Sequence, residues 1–270
     1  MPHPLPYIDR NSPRPLFGLS LSYPAPGIIE RIGAAWDWFW IDCQHGELEY
    51  SDAVGLVKAA QLIGVPPIVR IPGIDPSWAA RILDVGAAGV IVPMVESLAE
   101  ARAMISATKF PPVGNRSFGG LRVATRAGAD YYKTANRDTV LILQLESNEA
   151  VALADQLAAL EGVDGLFLGP DDLVIRNGME AKNPKDMAAI GRQSEIVAKA
   201  CRRHGKLNVG IAGNEVGIGM AKHFKHDLVV GAGEFVLLQT ASAQRVQAMW
   251  DAFGLKRPGA AAKPARKRKS

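Results

Sequence analysis

Asp42 and His45 stand three residues apart at the end of an aromatic run, WFWID (38–42), where a strand would hand over to a turn. Polar residues close other apolar runs in the same way. Arg70 ends PIVR, Gln144 and Glu146 lie in VLILQLE (140–146), and Asp171 and Asp172 follow GLFLG (165–169) in the stretch GPDDL. Taken singly, each has an ordinary role. An Asp before a His can serve a turn, a lone His is more often a surface or core residue than a catalyst, and a Glu ahead of Ser147 and Asn148 can decorate a helix start. Taken together, a His–Asp pair, one Arg and two carboxylates from separate strands form a set that a structural protein has little reason to collect.

That set suits a definite chemistry. Two carboxylates without a Cys or His cluster make a hard oxygen site for Mg²⁺ or Mn²⁺, with Co²⁺ or Zn²⁺ as alternatives, completed by water and substrate oxygens. A cation so held can chelate a 2-oxo acid and act as a Lewis acid. An arginine near the ketone oxygen stabilises negative charge there, and His45 oriented by Asp42 moves protons. The rival mechanism is a lysine Schiff base. No lysine closes an expected strand, because Lys58, Lys109 and Lys133 fall in helices or loops.

The elements that must position these residues follow from the pattern. Apolar runs at 16–22, 38–42, 67–71, 88–94, 140–146, 165–169, 207–211 and 227–232 read as eight strands apolar on both faces, as parallel strands buried on both sides do. Between them lie stretches of helical period such as 51–64 and 77–87, ending near glycine. Ser51 and Ser97 read as helix N-caps, the second with Glu100 three residues on. Strands alternating with helices over about 250 residues predict an α/β fold, a single-domain (β/α)8 TIM barrel. An open doubly wound sheet is the alternative, but no GxGxxG turn follows the first strand. In a barrel all the polar strand ends converge on one rim. The segment 109–138 breaks the rhythm, and its arginines and the Tyr131, Tyr132 pair make it a candidate cover for that rim.

Composition narrows the class. With 48% hydrophobic residues the 270-residue chain can bury a large core. No apolar stretch approaches the ~20 residues of a membrane span, and the Pro-rich start lacks a signal-peptide core. Two cysteines, Cys43 and Cys201, read as free thiols in a reducing cytoplasm. The net charge of +4 rests on seven cationic side chains between Lys256 and Lys269, without which the remainder is about −3. A nucleic-acid surface is therefore not expected on the folded part. The expected organisation is an N-terminal extension (1–15), a catalytic barrel (16–255) and a disordered basic tail (256–270).

The blocks WIDCQHG, PIVRIPG, ILDVGAAGVIVPMVES, FPPVGNRSFGG, LQLESNEAV and VDGLFLGPDDL occur in order, and between about residues 16 and 240 the chain resembles the HpcH/HpaI family of class II pyruvate aldolases. The resemblance implies a barrel assembled as a homo-hexamer of two trimers that cleaves 4-hydroxy-2-oxo acids to pyruvate and an aldehyde through the enolate of pyruvate. It implies Glu146 and Asp172 as ligands of a divalent metal, and Arg70 on the pyruvate carbonyl. His45 and Asp42 become the acid/base dyad, and Gln144 a support of the metal site. The backbone at Gly169, Pro170 and Asp171 becomes a carboxylate cradle, and Asp84 reaches a neighbouring subunit's site. Cys43 and Gln44 replace a usual Gly and Glu, and Asp171 a usual small residue, which bears on the substrate. Oxaloacetate decarboxylation, or a related 2-oxo acid lyase activity, is the alternative reaction. A barrel without catalysis, serving as a scaffold, is the other.

Overall fold

The computed structural model describes residues 5–180 and 189–255. Eight parallel strands close into a barrel in sequence order: β1 Leu16–Leu21, β2 Trp38–Asp42, β3 Pro67–Arg70, β4 Gly89–Val92, β5 Val140–Leu145, β6 Gly165–Leu168, β7 Leu207–Ile211 and β8 Leu228–Gly233. The (β/α)8 expectation holds, with each strand within two residues of its expected bounds.

Period-two geometry divides the strand residues between two layers. Trp38 and Trp40 of β2, Ile68 of β3, Ile142 of β5, Phe167 of β6 and Val209 of β7 pack together inside the barrel. The alternate residues, among them Phe39, Ile41, Val69, Leu141 and Leu143, face the surrounding helices in a larger cluster. Gly18 belongs to the inner set: a Cβ there would stand 2.3 Å from the Trp38 ring, so the glycine makes room for the indole.

Several helices start where side chains satisfy free backbone amides. Ser97 Oγ accepts from the Glu100 amide, as the spacing predicts, although Glu100 Oε2 reaches the Glu96 amide rather than that of Ser97. The helix expected from Ser51 spans Tyr50–Leu62 instead, because Glu49 is its N-cap and forms a capping box with Asp52. The segment 109–138 does not cover the strand C-termini. It folds into helices Leu121–Ala127 and Tyr132–Asp138 and packs where the strands begin, with Asn136 held by Phe110 and Gly120 pressed against Asp84.

Residues up to Gly233 and residues from Glu234 form two separate compact units. The expected catalytic domain ran through to residue 255, whereas the helix Glu234–Ala252 groups with the second unit. No described helix is long and apolar enough to cross a membrane. The expected basic tail lies outside the described residues.

Candidate active site

The inward-facing rows that fill the barrel with Trp38, Trp40, Ile68, Ile142 and Phe167 continue, two residues at a time, to Asp42, Arg70, Gln144, Glu146 and Gly169 at the strand C-termini. The same alternation that builds the apolar core thus delivers a polar layer on top of it. Asp42 and Arg70 are register partners on neighbouring strands.

Their side chains meet as a buried fork. Arg70 Nε donates to Asp42 Oδ1 at 2.8 Å, and Nη2 donates to Oδ2 at 2.5 Å. The guanidinium lies over the Trp40 ring at 4.5 Å from its centroid, a favourable cation–π placement. Nη1 reaches Gln144 Oε1 at 3.5 Å, and Gln144 Nε2 donates to Glu146 Oε1 at 2.6 Å. The other Glu146 oxygen accepts from the Met94 amide at 2.8 Å. Asp42, Arg70, Gln144 and Glu146 therefore form one continuous chain across the barrel mouth, four residues from three strands. Met94 holds a left-handed φ of 52°, an uncommon state for a side-chain-bearing residue, and with it aims its amide at the carboxylate.

The geometry revises one expected partnership. Asp42 touches His45 through the backbone, with its Oδ1 accepting from the amides of Gln44 and His45 at 3.1 and 3.3 Å, while both carboxylate oxygens bind Arg70. Its fork is committed to Arg70, so Asp42 shapes the turn that carries His45 rather than gripping the imidazole. His45 itself is exposed on that turn. Cys43, beside it, is buried, and its thiol is pushed up to about 12, chiefly by burial, so it is no nucleophile at neutral pH.

Glu146 is buried, and its carboxyl is held above the usual range first by burial and then by the Asp172 carboxylate. Asp171 and Asp172 occupy the first turn of helix Pro170–Arg176, exposed at its start. Gly169, just before them, makes room for the Glu146 and Gln144 side chains, because a Cβ there would stand 2.6 Å from Glu146 Cγ and 3.0 Å from Gln144 Nε2. No group of three or more His, Cys, Asp and Glu side chains gathers among the described residues. Two carboxylates whose mutual repulsion disfavours the ionised state of one nonetheless fit a divalent cation that takes its remaining ligands from water and substrate.

Asp84 lies elsewhere. It sits near the end of helix Pro76–Val85, where the chain returns toward the start of β4, and it accepts from Arg116 Nη2 at 2.8 Å. Within one chain it is thus at the opposite end of the barrel from Glu146. Sequence reasoning missed Met94, whose backbone state has no sequence signature outside glycine, and Trp40, which reads as core until its face is seen beneath Arg70.

Comparison with known proteins agrees with this architecture. The family model described as HpcH/HpaI aldolase/citrate lyase matches residues 22–224. A hydroxypyruvate/pyruvate aldolase of Rhizorhabdus wittichii is 32% identical over 87% of this chain and 94% of its own length. A 2-dehydro-3,6-dideoxy-6-sulfogluconate aldolase of Pseudomonas putida is 42% identical over 58% of this chain, a match that spans 62% of that protein, less than two thirds of it. A crystal structure of an HpcH/HpaI aldolase from Desulfitobacterium hafniense superposes with a TM-score of 0.80 at 28% identity, covering 91% of this chain and 95% of that one.

Proposed function

From the premise that this chain belongs to the HpcH/HpaI aldolase/citrate lyase family, we propose that the protein is a divalent-metal-dependent class II aldolase that cleaves 4-hydroxy-2-oxo acids to pyruvate and an aldehyde. The observation that carries the reading is the hydrogen-bonded chain from Asp42 through Arg70 and Gln144 to Glu146, aimed into the barrel mouth. The aldolases among its relatives support the lyase class.

Glu146 and Asp172 would hold the cation, Mg²⁺ or Mn²⁺ by the hardness of the donor set, and it would supply Lewis acidity toward the 2-oxo group. The chain's own residues do the rest. Arg70, with one edge fixed by Asp42 and one face by Trp40, turns its remaining N–H groups toward the C2 oxygen, where negative charge develops. A fixed guanidinium pays little reorganisation as that charge grows. His45, exposed at the rim, accepts the proton of the C4 hydroxyl as the C3–C4 bond breaks. C4 leaves as an aldehyde, the bonding electrons pass to C3 and the C2 oxygen, and a proton returned to C3 yields pyruvate. The backbone at Gly169, Pro170 and Asp171 stands at a helix start, which suits the substrate carboxylate. Gln144 links the arginine to Glu146 and keeps both in register.

The protein is also proposed to work as a homo-oligomer, with Asp84 serving a neighbouring subunit's site. The exposure of Phe235, Leu238 and Met249 on helix Glu234–Ala252 supports an assembly that covers them.

The test is pyruvate release from a panel of 4-hydroxy-2-oxo acids by chelator-treated protein, with and without added Mg²⁺ or Mn²⁺. Metal-restored release with the wild type, absent in Glu146→Gln, is the expected result. Release from oxaloacetate alone would replace aldol cleavage with decarboxylation, and metal-independent release would overturn the assignment of Glu146 and Asp172.

A further inference from the structure

The two carboxylates assigned to the cation come from different elements, and among the described residues the Asp172 side chain has no hydrogen-bonding partner of its own to fix it. Its position is set by the short helix Pro170–Arg176 that carries it. The start of that helix is tied to β5, because the Gly169 amide donates to the Leu145 carbonyl at 2.9 Å. Its end is tied by a different route. Arg176 Nη1 donates to Glu96 Oε1 at 2.9 Å, and Glu96 Oε2 accepts from Ser147 Oγ at 2.5 Å. Ser147 directly follows Glu146, and Glu96 lies two residues after Met94, whose amide holds Glu146 Oε2. The Glu96 amide is held in turn by Glu100 Oε2 at 2.8 Å. One carboxylate thus joins the loop after β4, the residue next to Glu146, and the last turn of the helix that bears Asp172.

We propose that Glu96 is a positioning residue: by bracing Ser147 against Arg176 it sets where the Asp172 carboxylate stands relative to Glu146, and so tunes the cation site without touching it. The idea rests on the metal-binding reading given above. The Glu96–Arg176 pair is partly exposed, with 35% and 44% of the side chains open to solvent, and such pairs add little to stability. Its use is therefore geometric, in the way that partners of metal ligands commonly govern affinity.

Electrostatics and positioning predict opposite signs, which makes the test sharp. Removing the Arg176 cation should tighten cation binding if charge alone matters, and should weaken it if the brace matters. Chelator-treated full-length protein is titrated with Mn²⁺ and free Mn²⁺ is read by electron paramagnetic resonance, with circular dichroism melts confirming the fold. Arg176→Met and Glu96→Gln are each expected to weaken Mn²⁺ binding about tenfold. The double variant should be no weaker than the worse single one, and Arg176→Lys should restore most of the affinity. Binding by Arg176→Met as tight as that of the wild type, or tighter, overturns the proposal. Should the wild type bind no Mn²⁺, or Glu146→Gln bind it equally well, the metal reading itself fails and takes the brace with it; the two failures are told apart by which protein shows them.

Discussion

The barrel buries charge at both ends, and the two ends treat it differently. Where the strands begin, Asp164 is enclosed: one oxygen accepts from Arg10 at 2.5 Å, the other from Lys109 at 2.6 Å and from the Leu141 amide at 2.7 Å. Lys109, 1% exposed, spends its remaining donors on the carbonyls of Asn136 and Thr139. Burial lowers its pKa while Asp164 raises it. Where the strands end, Arg70 keeps N–H groups in reserve, Glu146 is held above the usual carboxyl range, and Asp172 is exposed, with no hydrogen-bond partner among the described residues. A carboxylate and a lysine whose hydrogen bonds are all matched, as Asp164 and Lys109 are, serve to close a fold, whereas a site that keeps donors and carboxylate oxygens free is able to bind a ligand. The contrast fits structural charge at one end and the proposed chemical charge at the other, although both ends are equally buried in places.

Asp164→Ala should break the closed end, and it carries the largest expected effect. It strips Lys109 and Arg10 of their carboxylate and leaves a buried cation, a loss of about 3–5 kcal/mol. For a domain of this size the melting temperature should fall by roughly 10 °C, while the turnover of the molecules that remain folded is unchanged. A loss of turnover in the folded fraction would contradict the division of labour between the ends.

Arg70→Lys probes the open end. A lysine keeps the charge against Asp42 but loses the fork and the flat face over Trp40. The expected result is a fall of about a hundredfold in kcat/KM, near 2.7 kcal/mol, with little change in melting temperature. Retained activity would show that charge alone is needed there.

The two histidines sharpen the same comparison. His226, just before β8, is depressed to about 4 by burial, and its Nδ1 has no hydrogen-bond partner among the described residues; His45 stands exposed at the rim. The folded state keeps His226 neutral while the unfolded chain takes up a proton near pH 6.5. Its contribution is therefore fully present above pH 6.5 and is lost as pH falls toward 4. His226→Phe should lose less stability across that window than the wild type, by an amount on the order of 2 kcal/mol. Parallel curves of stability against pH for the two proteins would refute the assignment.

Much of this is legible in the amino-acid sequence alone. Strands buried on both faces announce themselves as apolar runs, so the eight strands of the barrel follow from residues such as Val140 to Leu145 alone. The polar layer was legible too, since Asp42, Arg70, Gln144 and Glu146 close those runs on the inward parity. What was hidden depends on pairing across the chain. Asp42 faces Arg70 only because the register sets them opposite, and no local spacing reports a register. The segment 109–138 misled for the same reason: its aromatic residues signal packing, but which end of the barrel they pack against is decided by Asp84, Lys109 and Asn136. Ser51 falls inside the first turn rather than at the N-cap because the helix already begins at Tyr50, with Glu49 and Asp52 closing its start.

The smallest effect is expected at Asp171, and it tests how open the open end is. Its carboxylate is exposed in the first turn of helix Pro170–Arg176, where a substrate carboxylate is proposed to dock. Two like charges about 4 Å apart repel by roughly 1 kcal/mol in water, and less as salt screens them. Asp171→Ala should therefore lower KM for a 2-oxo acid by up to about fivefold at low ionic strength. The advantage should shrink as salt is added, and kcat should stay put because the charge acts equally on bound substrate and transition state. A salt-independent change, or one confined to kcat, would mean that Asp171 meets the substrate by contact rather than through its field, and that this rim is more tightly built than its exposure implies.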